Sequence, residues 1–322
     1  MRYPYTGLFE YCYKLGLNLV KTQAQNDDVT FYLAPSDQHY FTESLEFIDQ
    51  KSFHKLLFPK LNSEIDIWHS THQTSWYMPP RSRKIKCLLT IHDLNFLYEE
   101  KRESKRLSLL KKHQKSIDLA DHIVAISEFT KSDILKHLKT DKPITVIYNG
   151  CDVEEFPEHE NPVYKPNREF ILALGTVNEK KNFHVLPCLL AKNEMEIVIA
   201  GKVDDNYKAL ILAEAKKFNV LNRVKILGNI SKQDKYWYYK HCTAFSLPSK
   251  AEGFGIPVIE AMYFGKPVFL SKLTSLPEIG GKLAYYFDNF DDEHMQDVFE
   301  TGMKNYRSNN PSEEIINHAK EF

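Results

Sequence analysis

The chain has 322 residues, 43% apolar and 26% charged, with a formal net charge of -1. That length exceeds one ordinary compact domain and suits two. The near-neutral balance excludes a polybasic nucleic-acid binder, and no apolar run reaches the ~20 residues that span a bilayer.

In chain order, short apolar runs alternate with stretches of helical composition. In the first half, 29–33, 65–68, 86–91, 122–126 and 144–147 read as strands. In the second half, 170–174, 197–200, 224–227, 244–247 and 268–270 do the same. Their largely unbroken apolar character predicts parallel strands covered on both faces, which makes the chain α/β. Two such sets predict two Rossmann-like domains, over 1–153 and 169–322. Between them, 154–168 holds Pro157, Pro162 and Pro166 among charged residues, a composition that resists helix and interior strand. It is expected to be a linker.

The N-terminal M-R-Y-P-Y-T-G lacks an apolar signal core, and the five cysteines stand apart with no C-x-x-C pair. Both features predict a cytoplasmic protein with free thiols. Lys101, Arg102, Lys105, Arg106, Lys111, Lys112 and Lys115 share one segment with Leu107, Leu110 and Ile117. Helical spacing puts these three on one apolar stripe. Segment 101–117 therefore reads either as a solvated helix packed on its sheet or as a basic helix resting on anionic membrane from the inner face. His69, His72, Trp76 and Tyr77 cluster in W-H-S-T-H-Q-T-S-W-Y. They fit either packing or stacking on a sugar. Two histidines without a further ligand cluster, and no D-x-D triplet, predict no metal.

The most informative stretch is P-S-K-A-E-G-F-G-I-P-V-I-E-A-M-Y-F-G-K-P-V at 248–268. A strand ends, a loop carries Glu252, Gly253, Phe254 and Gly255, and Pro257 suits the first turn of a helix that Gly265 stops. A glycine-bearing loop feeding a helix N-terminus at the end of a parallel strand is an anion site in α/β sheets. Glu252 lies in the loop and Glu260 within the helix. A carboxylate's two oxygens suit the paired hydroxyls of a sugar or a ribose.

This stretch resembles the E-x₇-E signature of the retaining GT-B glycosyltransferases of family 4. Other segments resemble that family in order: T-I-H-D-L (90–94), A-I-S-E-F-T-K-S-D-I (125–134), V-I-Y-N-G-C-D (146–152), L-G-T-V-N-E-K-K-N (174–182) and S-L-P-E-I-G-G (275–281). The resemblance covers nearly the whole chain. It implies a GT-B architecture with the donor held between domains, mainly by the C-terminal one. It implies transfer of a hexosyl group from a nucleoside diphosphate sugar to an acceptor hydroxyl on a glycan or glycolipid, with retained configuration.

By position, the resemblance assigns Lys181 and its neighbour Lys180 to the diphosphate, and Glu252 with Gly253, Phe254 and Gly255 to the transferred sugar. It assigns Glu260 to the ribose, Ile230 to the base and His92 to the donor sugar. Tyr5-Thr6-Gly7-Leu8 resembles the family's N-terminal glycine loop, with the Gly7 amide directed at the diphosphate. Thr176 stands where the family often has arginine. That departure and the short ends keep a degenerate donor-binding subunit as an alternative, beside a GT-B sugar-nucleotide epimerase or hydrolase.

Overall fold

The structure is a computed structural model that describes residues 7–24, 27–41, 45–59, 61, 65–81, 84–99 and 101–322. Helix α1 (Gly7–Thr22) is followed by β1 (Thr30–Leu33), β2 (Glu46–Asp49), β3 (Ile67–Ser70) and β4 (Lys86–Ile91). Then come α2 (Glu103–Leu119), β5 (His122–Ala125), α3 (Glu128–His137) and β6 (Ile144–Val146). The second half runs β7 (Phe170–Leu174), β8 (Glu196–Ala200), α4 (Asp205–Lys217), β9 (Val224–Gly228), α5 (Lys232–His241), β10 (Ala244–Leu247), α6 (Ile256–Tyr263), β11 (Val268–Ser271), α7 (Leu276–Gly280), β12 (Tyr285–Phe287), α8 (Asp292–Asn309) and α9 (Ser312–Ala319).

The chain divides into two compact units. One comprises Met1–Ile91, Lys111–Val124 and Thr140–Thr145; the other comprises His92–Leu110, Ala125–Lys139 and Val146–Phe322. In the first half, β3, β4, β5 and β6 form a sheet in that order, and β1 pairs in parallel with β2. Strand β2, E-F-I-D, has no apolar run, and its end residues are exposed. Packing of Phe31 against Phe47, with ring centroids 6.1 Å apart, gives it a partner that composition does not reveal.

The second half builds a six-stranded sheet ordered β12-β11-β10-β7-β8-β9, parallel throughout. Strands β7, β8, β10 and β11 are buried at every residue, in keeping with their mostly apolar composition. From β7 the chain winds outward through β8 and β9, then returns to lay β10, β11 and β12 on the other side. The direction of winding therefore reverses between β7 and β10.

Residues 154–168 contain no helix or strand, lie within the second unit and are tied to it by hydrogen bonds. Asp234 accepts from the His159 ring at 2.8 Å and from the Val163 amide at 3.2 Å, and the Tyr238 hydroxyl donates to the Tyr164 carbonyl at 2.6 Å. On α2, the buried face runs through His113, Ser116 and Ile117, while Leu107 is 51% exposed. The stripe expected from apolar residues alone shares Ile117 with this face, but two of the three buried members are polar.

Candidate functional site

The reversal between β7 and β10 marks a crevice at the carboxyl ends of the strands, the usual place for ligands in an open parallel sheet. Two loops leave the sheet there. After β7, Gly175 (φ +145°) and Gly201 (φ +138°) meet back to back; a Cβ on Gly201 would lie 2.0 Å from the Gly175 carbonyl oxygen. The Asn178 side chain accepts from the Lys181 amide and starts a 3-10 turn over Glu179–Lys181. The Lys181 side chain then folds back over Gly175, where a Cβ would come within 2.9 Å of its Cε. Glycine at 175 is thus required twice, by backbone conformation and by the lysine that crosses it.

After β10, the loop carrying Glu252 is fixed at almost every backbone group. The Glu252 amide donates to the Thr274 hydroxyl at 2.9 Å. The buried Ser275 hydroxyl reaches the carbonyls of both Glu252 (3.0 Å) and Phe254 (2.9 Å). Ser127 donates to the Gly253 carbonyl at 3.0 Å. A Cβ on Gly253 would lie 2.3 Å from the His92 carbonyl oxygen, so only glycine fits. Gly255, at φ +117°, turns the chain into α6, with Pro257 in its first turn.

These loops bring Lys181 and Glu252 together: the lysine ammonium donates to the glutamate carboxylate, and both side chains are nearly buried. Burial pushes the Glu252 carboxyl upward. The charges of Lys181 and Lys180 and the hydrogen bond from Lys181 outweigh it, and the group lies below the usual carboxylate range. Glu252 is thus an ionised acceptor, and Lys181 is a directed cation beside it.

One helical turn into α6, Glu260 is buried and its two oxygens are both engaged. Lys235 donates to Oε1 at 2.6 Å and the Tyr239 hydroxyl donates to Oε2 at 2.8 Å. Burial, then the Glu260 charge, hold the Tyr239 phenol well above its ordinary pKa, so it remains a donor. Ile230 is half-buried between β9 and α5, the helix that supplies Lys235 and Tyr239. His92 is half-buried, and its carbonyl accepts from Thr130 at 3.3 Å. Within the second unit the structure therefore gathers His92, Lys181, Glu252, Gly253, Phe254 and Gly255 at one place, with Lys180 beside them and Glu260 a turn away.

Gly7 is the exposed first residue of α1, while Tyr5 and Thr6 lie outside the described residues. His69 bonds Thr90 at 2.8 Å, and the Tyr77 ring packs on Tyr32; both residues are half-buried within the first unit. Trp76 is exposed. No group of three or more His, Cys, Asp or Glu among the described residues is placed to hold a metal ion. No helix of the described residues is long and apolar enough to cross a membrane.

Sequence reasoning did not single out Lys235, Tyr239, Ser127, Thr274 or Ser275. Ser127 and Ser275 lie in quoted motifs, but their role depends on which carbonyls the fold brings to them. From α7, the Glu278 carboxylate accepts both the Glu128 and Phe129 amides at the start of α3, at 2.7 and 3.0 Å.

Comparison with known proteins decides the family. The model of the family "Glycosyl transferases group 1" matches residues 155–322, and that of "Glycosyltransferase Family 4" matches residues 22–155. The chain is a member of the group 1 glycosyl transferases. It is similar to O-antigen chain mannosyltransferase B of Escherichia coli, 26% identical over 67% of this chain and 60% of that one. It is also similar to the serotype-specific mannosyltransferase WbdA of Escherichia coli, 30% identical over 57% of this chain and 24% of that one. The chain thus spans less than two thirds of these curated relatives.

Among solved structures, this glycosyl transferase matches the lipopolysaccharide outer core galactosyltransferase WaaB in its apo form at a TM-score of 0.63 and 16% identity, over 96% of this chain and 95% of that one. Anabaena HepE in complex with UDP and glucose matches at 0.62 and 19% identity, over 74% and 66%. These likenesses establish the fold, which is GT-B.

Proposed function

We propose that this glycosyl transferase moves a hexosyl group from a nucleoside diphosphate sugar to a hydroxyl of a glycan or glycolipid, with retained anomeric configuration. The observation that carries the reading is the Lys181–Glu252 pair, set at the topological reversal beside a glycine-opened helix start. A departing diphosphate gains negative charge as the glycosidic bond breaks. Lys181, supported by Lys180 and the dipole of α6, is the group to receive that charge. As Lys181 turns to the diphosphate, the Glu252 carboxylate is released to accept from hydroxyls of the transferred sugar, with the Gly253–Gly255 backbone alongside. His92 meets the same sugar, Glu260 holds the ribose and Ile230 lies against the base.

The names of the curated relatives favour mannose as the sugar, since those in Escherichia coli are called mannosyltransferases. The cationic pair at Lys180 and Lys181 supports stabilisation of the diphosphate without a metal. Lys105, Lys111, Lys112 and Lys115 are exposed on α2 and are the residues we assign to contact with an anionic membrane that carries the acceptor.

The test is calorimetry and turnover with a panel of nucleoside diphosphate hexoses, with and without a glycan acceptor. Acceptor-dependent release of the nucleoside diphosphate supports the reading. Equal turnover without acceptor supports a hydrolase or epimerase instead. Absence of donor binding overturns it.

A further inference from the structure

The two acceptor oxygens of Glu260 are each taken by a donor from one helix. Lys235 and Tyr239 stand four apart on α5, so their side chains share a face and reach the same carboxylate. The three groups differ in access. Tyr239 is fully buried and Glu260 is 7% exposed, whereas the Lys235 side chain is 30% exposed. A ligand arriving at Glu260 therefore meets the ammonium as well as the carboxylate.

Lys235 has a contact besides Glu260. Ser231 caps α5 by accepting from the Asp234 amide, and the Lys235 ammonium lies 4.4 Å from the centre of the Tyr236 ring. An ammonium has three donors and no acceptor, and Glu260 is its hydrogen-bond acceptor here. A carboxylate offers about four lone-pair sites, two of which are taken by Lys235 and Tyr239. The couple therefore still has donor and acceptor capacity, held side by side.

We infer that Lys235 is a specificity-determining residue for the donor: it joins Glu260 in recognising the ribose hydroxyls of a nucleoside diphosphate. The inference rests on the reading of Glu260 as the ribose residue. A vicinal diol both donates and accepts at each oxygen. A lone carboxylate satisfies only the donation. The Lys235–Glu260 couple satisfies both, one ribose hydroxyl donating to Glu260 while its oxygen accepts from Lys235. A 2′-deoxyribose leaves one member of the couple without a partner in a half-buried place, and that asymmetry is what makes such sites discriminate.

The test measures dissociation constants of UDP and GDP and of their 2′-deoxy forms by calorimetry, on the full chain. Wild type, Lys235→Met and Lys235→Gln are compared. Wild type is expected to prefer the ribose form of its nucleotide by about tenfold or more, as one unpaired polar contact requires. Lys235→Met should lose about tenfold for the ribose form and change little for the deoxy form, so that the preference collapses. Lys235→Gln keeps an N–H donor and should restore part of it. Unchanged preference in Lys235→Met, or an equal loss for both forms, overturns the assignment, because Lys235 then only holds Glu260 in place. If wild type binds neither UDP nor GDP nor any other nucleoside diphosphate, the donor reading falls and this assignment with it. Matching melting temperatures keep loss of fold from imitating the expected result.

Discussion

Lys181 and Glu252, 71 residues apart in sequence, share one buried hydrogen-bonded ion pair at the carboxyl ends of the central strands of a parallel sheet. Removing one partner leaves the other charge buried and alone, which costs about 3–5 kcal/mol. Lys181→Met is therefore expected to lower the urea midpoint of unfolding sharply at neutral pH. Adding Glu252→Gln to it should recover most of the loss. Additivity of the two changes within ~0.5 kcal/mol would show that the pair is not coupled. The sign with pH follows from the carboxyl, whose folded value lies below its ordinary one. Its stabilisation is present above the unfolded pKa of about 4.3 and is lost as pH falls through the folded value. The penalty of Lys181→Met should accordingly shrink in acid.

Gly253 and Gly7 make opposite demands. A Cβ at 253 would stand 2.3 Å from a backbone oxygen, whereas one at 7 meets nothing within 4 Å. Gly253→Ala must push the Glu252 loop away from His92 and is expected to cost about 1–3 kcal/mol. It should also lower turnover, because Glu252 moves with the loop. Gly7→Ala should stay within ~0.5 kcal/mol of wild type. Thermal melts of both variants check this, and a neutral Gly253→Ala would contradict the close approach.

The second half of the chain was more legible than the first, and the reason is burial. Strands such as β7 and β10 are covered on both faces, so they appear as mostly apolar runs followed by glycine or proline, and their observed limits coincide with those the sequence predicts. Strands β2 and β12 were missed because E-F-I-D and Y-Y-F are short and only partly covered. At the site, the glycine-bearing loop and the helix after it draw attention to Glu252 and Glu260, and resemblance alone points to the lysine loop. Neither reveals their partners. Thr274 and Ser275 act on Glu252 across 22 and 23 residues, and Lys235 acts on Glu260 across 25. No local pattern encodes such pairings; only the winding of the sheet creates them.

Asp234 ties the proline-bearing segment to α5. Burial pushes its carboxyl up, but hydrogen bonds from the His159 ring, the Ser231 hydroxyl and the Val163 amide bring it below the ordinary range. Its contribution to stability is therefore present above the unfolded pKa of about 3.9 and disappears as pH falls through the lower folded value. Asp234→Ala is expected to cost about 1–3 kcal/mol at neutral pH, with the difference from wild type narrowing in acid. Proteolysis of 154–168 should become faster in the variant. A pH-independent difference would assign the loss to the helix cap alone.

The lysine loop makes a prediction about cations. Donor binding and turnover should survive a chelator, because Lys181 and Lys180 supply the positive charge. A large loss that magnesium or manganese restores would contradict this. Within the loop, Lys181→Ala should reduce turnover by on the order of 10²-fold, and Lys180→Ala by much less. Lys181 is the lysine that bonds Glu252, so its ammonium is already directed into the site. Equal, small effects of the two changes would mean that the loop does not reach the diphosphate.

The two glutamates should separate in kinetics. Glu260 is held on α6 by Lys235 and Tyr239, and the proposed ribose contact lies away from the bond that breaks. Such a contact is about equally strong in the ground and transition states, so Glu260→Gln is expected to raise the donor KM and spare kcat. Glu252 sits where the sugar changes shape and charge, and its loop is fixed by Thr274, Ser275 and Ser127, so its carboxylate has little freedom to drift. Glu252→Gln should lower kcat by more than it changes the donor dissociation constant. Gln keeps the size and removes the charge in both variants, which leaves packing nearly constant. The Lys181 amine, released from its partner in Glu252→Gln, remains able to reach the diphosphate, so donor affinity should hold or improve as kcat falls. Steady-state kinetics with donor dissociation constants from calorimetry decide between the roles. Normal donor binding by Glu260→Gln, or normal turnover by Glu252→Gln, would show the corresponding role to be wrong.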